Sequence, residues 1–367
     1  MTPLGVSLPR DALHLQRVEP AIEPVARQEL VVASDLGDPS LVYHHNPVGV
    51  AHGREAMRDH QHGAAPHQLG QRLLDHELAL GVEIRRGLVE DQDGGILQER
   101  ARDRVYCFNR STDHPIIVFD RDGRVLSTWG AGLFAFPHTI RTDAPDNLWI
   151  VDRDHAQMFY FSSTGSLLRT IGTRGYRSDT GVDPKDFSSV AYRNVTHGGG
   201  PFNLPTDIAL TPSGEMFVTD GYGNARVHKF AADGTHLSSW GEPGSGPGQF
   251  ALPHGVWIDR RERVLVCDRE NDRVQIFDQG GKLLEIWPTK LIGPATFYVD
   301  ADDVVYIPEH NGGLVSVLTL DGQRLAQWGD PSFRSCHGIW GDSRGDLYVV
   351  RPGAWGRPRR IVKYTRV

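Results

Sequence analysis

The chain has 367 residues with 39 basic and 46 acidic side chains, a formal charge of −7 at pH 7, a balance that argues against a nucleic-acid partner because nucleic-acid binders carry a basic excess. No apolar run approaches the roughly 18 residues of a membrane span, and the opening MTPLGVSLPRDALHLQ lacks the basic-then-apolar grammar of a secretory leader. The expectation is a cytoplasmic protein with neither a nucleic-acid nor a membrane partner; a different N-terminus would reopen secretion. Cys107, Cys267 and Cys336 are too few and too scattered for a disulfide framework or a metal knuckle, and read as buried small apolar residues.

In chain order, residues 1–102 come first and read as a poorly structured segment. They hold one aromatic, Tyr43, yet eight of the 17 histidines. There is no sustained period of 2 or 3.6 beyond a weak helical hint in QRLLDHELALGVEI, and such a stretch buries too little apolar surface to offset its conformational entropy. A His-rich metal site is one reading, disfavoured by irregular spacing. Another is that the segment is no genuine part of the product, since its composition resembles GC-rich DNA read out of frame.

From residue 103 the grammar changes. The proline or its stand-in recurs at Pro137, Pro205, Pro253, Pro294 and Cys336, in steps of 68, 48, 41 and 42 residues. The long first step contains an insertion, RGYRSDTGVDPKDFSSVAYRNVTHGGGP, residues 174–201. A repeat near 40 residues built of short strands is the mark of a β-propeller. One unit reads HGVWID, VLVCDR, RVQIFD and KLLEIW, four alternating strands punctuated by Gly and Asp. The expected fold is therefore all-β: a six-bladed propeller over residues 103–367, with blades starting near 103, 136, 204, 252, 293 and 335. The first blade lacks a convincing inner strand and the last ends after three. Only ELVVASD (29–35) and SLVYHH (40–45) offer a closing strand, and closure is what removes the sheet edges.

His138, His254 and His337 each stand at the head of the inner strand, in the second, fourth and sixth units. The third and fifth units carry Thr206 and Ala295 there. Inner strands line the central channel, so three imidazoles on alternate blades converge at its mouth. Three histidines with an open fourth position suit a catalytic zinc, whose preference for neutral imidazole fits a set without a carboxylate. A single histidine at such a place is more often a polar channel lining; three in phase are harder to reach by drift. The loops between the second and third strands share that face. They bring Arg110, Arg153, Tyr222 and Arg269, with Tyr222 held between Gly221 and Gly223 in a turn at the rim. For any one of these arginines an ion pair with a loop aspartate is the plainer reading.

These residues carry a resemblance. GPGQFALPHGVWIDRRERVLVCDRENDRVQIFDQGGKLLEIW resembles an NHL repeat, and the span 202–278, with LPTDIAL, TDGYGNAR, LPHG and DRENDR, is similar to the peptidyl-α-hydroxyglycine α-amidating lyases. The resemblance covers roughly residues 103–350. It implies an NHL-type six-bladed propeller with zinc on His138, His254 and His337, a catalytic tyrosine at Tyr222, a catalytic arginine at Arg110 beside it, and Arg269 contacting substrate or tyrosine. It also implies cleavage of the C–N bond of an α-hydroxyglycine to an amide and glyoxylate; a monomer taking a small-molecule or peptide substrate at the channel mouth is expected. The family's third histidine is followed by an aspartate that helps bind calcium; here Gly338 follows, and Cys336 replaces the usual proline, which counts against calcium. A phenol with an ordinary pKa near 10 is a poor base at neutral pH unless a cation favours its charged form, the part expected of Arg110. Two rival readings stand beside this one: a non-enzymatic NHL platform binding a protein or other ligand on its top face, and a lactonase- or streptogramin-lyase-like propeller enzyme.

Overall fold

The computed structural model describes residues 30–32, 104–108, 110–120, 124–143, 146–329, 334–342, 345–351 and 359–364. Their regular structure is nearly all antiparallel strand, arranged in six sheets. The first sheet is β2 (Arg104–Phe108), β3 (Ile116–Asp120) and β4 (Val125–Trp129), following the short β1 (Leu30–Val32) in sequence. The second is β5 (Pro137–Thr142), β6 (Leu148–Asp152), β7 (Gln157–Phe161) and β8 (Leu167–Ile171). The third is β9 (Pro205–Leu210), β10 (Met216–Asp220), β11 (Arg226–Phe230) and β12 (His236–Trp240). The fourth is β13 (Pro253–Ile258), β14 (Val264–Asp268), β15 (Arg273–Phe277) and β16 (Leu283–Ile286). The fifth is β17 (Tyr298–Val299), β18 (Val305–Glu309), β19 (Leu314–Leu318) and β20 (Arg324–Gly329). The sixth is β21 (Gly338–Gly341), β22 (Leu347–Arg351) and β23 (Arg359–Tyr364).

This is an all-β propeller. Among the described residues it has five four-stranded blades and one three-stranded sheet, not six complete blades. The shortfall is in the first sheet, where no alternating apolar run precedes Arg104. The sixth sheet gains its fourth strand from β1, which pairs antiparallel with β23 through Leu30↔Ile361, Val31↔Arg360 and Val32↔Arg359. Thus the first N-terminal candidate, ELVVASD, supplies a strand at the outer edge of the last sheet. The second candidate, SLVYHH, and the rest of 1–102, including its clustered histidines, lie outside the described residues.

Burial explains why the second strand of each unit is so apolar. In β14 every residue is buried, and side-chain alternation sends successive residues to opposite neighbours. Val264 and Val266 pack on the third-sheet side with Phe217 and Val227. Leu265 and Cys267 pack on the fifth-sheet side with Val305 and Ile307. Outer strands are wetter: in β12 His236, Leu237 and Ser238 are exposed and Ser239 and Trp240 half-buried. Cys107, Cys267 and Cys336 are buried thiols, and burial pushes the Cys107 thiol up to about 12. No described helix is long and apolar enough to cross a membrane.

Candidate metal centre and the phenol beside it

An acid recurs at the end of the second strand in the second to fifth sheets, and it pins the mouth of the channel. Asp152 accepts hydrogen bonds from the amides of Ala135 and Phe136 (2.7 and 2.9 Å). Asp220 accepts from Asn203 (2.7 Å), Asp268 from Ala251 (2.8 Å) and Glu309 from Ile292 (2.6 Å). Each bond ties the second strand to the chain just before the inner strand. Entry is strained in two of these sheets and in the sixth: Leu204, Leu252 and Ser335 hold φ of 63°, 66° and 69°, a left-handed conformation that costs a non-glycine residue about 1–2 kcal/mol. In the second and fourth sheets the register then shifts between Pro137 and Thr139 and between Pro253 and Gly255. His138 and His254 are thus the extra residues of β-bulges, a device that re-aims a side chain out of the ladder. His337 directly precedes β21, and its amide donates to the carbonyl of Val350 (3.0 Å).

The three imidazoles meet. Ring centres are 4.9 Å apart for His138–His254 and His138–His337 and 4.6 Å for His254–His337. One nitrogen of each lies within 4.8 Å of the others, so the set can hold a metal ion. Two further observations fit that use. His138 Nδ1 bonds the carbonyl of Thr206 (2.5 Å) and His254 Nδ1 that of Ala295 (2.7 Å). A carbonyl on Nδ1 fixes the tautomer that leaves Nε2 as a ligand lone pair. The buried Nε2 of His138 has no hydrogen-bond partner. Burial pushes His138 down to about 3, partly offset by the Thr206 bond and reinforced by Arg110, Arg153 and Arg269. Burial likewise holds His254 and His337 well below the ordinary imidazole value, each aided by its neighbouring rings and by Arg269. All three are neutral at pH 7, as metal ligation requires.

Tyr222 joins this cluster. Its ring centre is 5.4 Å from that of His138, and its hydroxyl is 3.3 Å from His254 Nε2. The flanking glycines are there for close approach: a Cβ on Gly221 would sit 2.2 Å from the Pro253 carbonyl oxygen, and one on Gly223 2.2 Å from Asn203 Oδ1. The expected rim position is corrected. Tyr222 is only 5% exposed, because the 174–201 insertion folds over it and packs Val182 and Ala191 on it with Leu204 and Leu252.

The sequence places three arginines on this face, and the structure ranks them. Arg269 Nη1 donates to the Tyr222 hydroxyl (3.1 Å), and Nε donates to Glu270 (2.9 Å). Burial opposes the charge of Arg269, but Tyr222 and Glu270 outweigh it and hold its proton more tightly than usual. The guanidinium of Arg153 lies 5.1 Å from the Tyr222 ring centre and 3.9 Å from that of Phe136. Arg110, expected beside the phenol, lies over the Phe136 ring at 3.6 Å. The cation on the hydroxyl is therefore Arg269. Arg153 does pair with a loop aspartate, Asp154 (2.6 Å), yet it also reaches the tyrosine. Sequence reasoning left aside His310, whose ring is 5.9 Å from His337. The signal was available: it follows Glu309 as Arg269 follows Asp268. Chemically, the mouth combines three neutral nitrogen ligands, a phenol and a cationic surround suited to developing negative charge.

Comparison with known proteins agrees with the repeat reading. Residues 202–230 and 250–277 match the NHL repeat. The chain is 31% identical over 205 residues to rat peptidylglycine alpha-amidating monooxygenase, and 31% over 205 residues to Drosophila peptidyl-alpha-hydroxyglycine alpha-amidating lyase 1. Each match covers 53% of this chain but only 19% of the rat protein and 34% of the fly protein. A streptogramin B lyase structure superposes with a TM-score of 0.50 at 15% identity, covering 78% of this chain and 87% of that one, a likeness of fold.

Proposed function

We propose that this chain is a zinc-dependent carbon–nitrogen lyase of a six-bladed NHL-type propeller, the three-stranded sheet being its first blade, in residues 103–367. Its substrate is a peptidyl-α-hydroxyglycine or a close relative, taken at the channel mouth by a monomer with no nucleic-acid or membrane partner. His138, His254 and His337 hold the zinc. Tyr222 is the base, and Arg269 and Arg110 supply positive charge around it. The observation that carries the reading is the Tyr222 hydroxyl, which accepts from Arg269 and lies 3.3 Å from His254 Nε2 at the edge of the three-imidazole cluster.

In the reaction the substrate hydroxyl gives its proton to Tyr222, and the O–H electron pair becomes the carbonyl of glyoxylate. The C–N bond breaks and its pair goes to nitrogen, which takes a proton and leaves as the amide. No water is consumed and no covalent enzyme intermediate is needed. The Arg269 guanidinium on the phenol oxygen sets positive charge beside the atom that takes the proton. A zinc held by His138, His254 and His337 would supply Lewis acidity to the reaction. Arg153 over the ring face and the insertion across the phenol keep water from the base. The test is glyoxylate release from a synthetic peptidyl-α-hydroxyglycine by zinc-loaded protein. Release by the wild type, and its loss in Tyr222→Phe, is expected. A zinc-loaded wild type that makes none would defeat the lyase reading and move the binding-platform and lactonase-like readings ahead.

A further inference from the structure

The insertion 174–201 has been given no part in binding metal or substrate, yet it reaches both cations that touch the phenol. Tyr192, in the short 3-10 helix Ala191–Asn194, donates its hydroxyl to Glu270 Oε2 (3.2 Å). The other Glu270 oxygen accepts from Arg269 Nε (2.9 Å), and Arg269 Nη1 donates to the Tyr222 hydroxyl (3.1 Å). On the second route the carbonyl of Phe187 accepts from Arg153 Nη2 (2.8 Å), while the Arg153 guanidinium faces the Tyr222 ring. Phe187 is itself steadied by Arg177, whose guanidinium lies 4.9 Å from its ring centre and whose Nη1 donates to the carbonyls of Pro184 and Asp186.

The guanidinium is a rigid planar fork, so fixing its Nε edge fixes where the remaining N–H groups point. Glu270 fixes that edge of Arg269, and Tyr192 in turn fixes Glu270. Arg269 is 5% exposed, so water is a poor substitute for either partner. We infer that Glu270 is a positioning residue and that the 174–201 insertion is a clamp, holding Arg269 through Tyr192 and Arg153 through Phe187 in register with the Tyr222 phenol. The inference rests on the lyase reading and adds a device to it: the insertion contributes to turnover without touching the reacting atoms.

The test uses full-length, zinc-loaded protein and glyoxylate formation, with zinc content and thermal midpoint measured on each variant. Glu270→Ala is expected to lower kcat by roughly 10–10²-fold, the scale of a small misplacement of a catalytic group, with KM little changed. Glu270→Gln keeps an oxygen to accept from Arg269 Nε and is expected to recover most of that loss. Tyr192→Phe, which removes one hydroxyl, is expected to cost a few-fold. In a Tyr222→Phe background none of these changes should matter further, because both routes end at the phenol. The clamp is overturned if Glu270→Ala keeps the wild-type kcat, if Gln is no better than Ala, or if the losses persist undiminished in Tyr222→Phe. An active wild type with unaffected variants defeats the clamp alone; an inactive wild type defeats the clamp and the lyase reading together.

Discussion

The second, fourth and sixth sheets differ from the third and fifth in one residue at one register. The first group brings His138, His254 and His337 to the channel mouth; the second brings Thr206 and Ala295. The first group acts through side chains. The second acts through backbone, since the carbonyls of Thr206 and Ala295 bond Nδ1 of His138 and His254. Alternation therefore does two things: it spaces three imidazoles around the axis, and it sets beside two of them a strand whose carbonyl selects the tautomer.

This division can be broken from either side. The largest expected effect is on metal. Replacing His138, His254 or His337 by Ala should weaken zinc binding by more than the ~10–100-fold that losing an outer-shell partner costs, as dialysis against a zinc buffer would read. Next is Tyr222→Phe, expected to lower kcat for glyoxylate release roughly 10²–10⁴-fold, the usual worth of a general base, with zinc retained. Arg269→Ala should cost about 10²–10³-fold, the scale of losing one charge-stabilising donor. Arg110→Ala should cost less, because its guanidinium lies over Phe136 rather than on the phenol oxygen; equal losses would return Arg110 to the phenol.

A pH experiment follows from the buried imidazoles. His138 protonates near 6.5 when unfolded but only at about 3 when folded, so between those values the unfolded chain binds more protons. Stability conferred by keeping this ring neutral is then fully present above 6.5 and is lost as pH falls toward 3. The metal-free protein should show a thermal midpoint that drops across this window, and His138→Gln should flatten the drop. The smallest effect belongs to the other set of sheets. Thr206→Val removes a hydroxyl bonded to the carbonyls of Thr219 and Pro253 and should cost about 1 kcal/mol of stability. Zinc affinity should not change, because the carbonyl that meets His138 remains.

Much of this was legible in the sequence because it repeats. The Pro-His register and the recurring acid after the second strand fall in step, so His138, His254 and His337 could be brought together from spacing alone. The glycines around Tyr222 marked a special turn, but not its reason, which is close approach to Pro253 and Asn203 rather than exposure. What has no counterpart in other units was not legible. The insertion 174–201 has no periodicity, so nothing in its residues foretold that Val182 and Ala191 would bury the phenol or that Tyr192 would reach Glu270. The choice of Arg269 over Arg110 as the phenol's partner depends on loop geometry at the scale of a single hydrogen bond. The strand Leu30–Val32 was visible only as an apolar run; its pairing with β23 is long-range and leaves no local signature.

The most direct test of the central claim is metal stoichiometry, measured by elemental analysis on the wild type and on the three single histidine variants after equilibration with zinc and removal of excess. The account predicts one zinc per chain in the wild type and a near-complete loss in each of His138→Ala, His254→Ala and His337→Ala, with the fold preserved. A wild type that retains no zinc, or three variants that retain it in full, would contradict it.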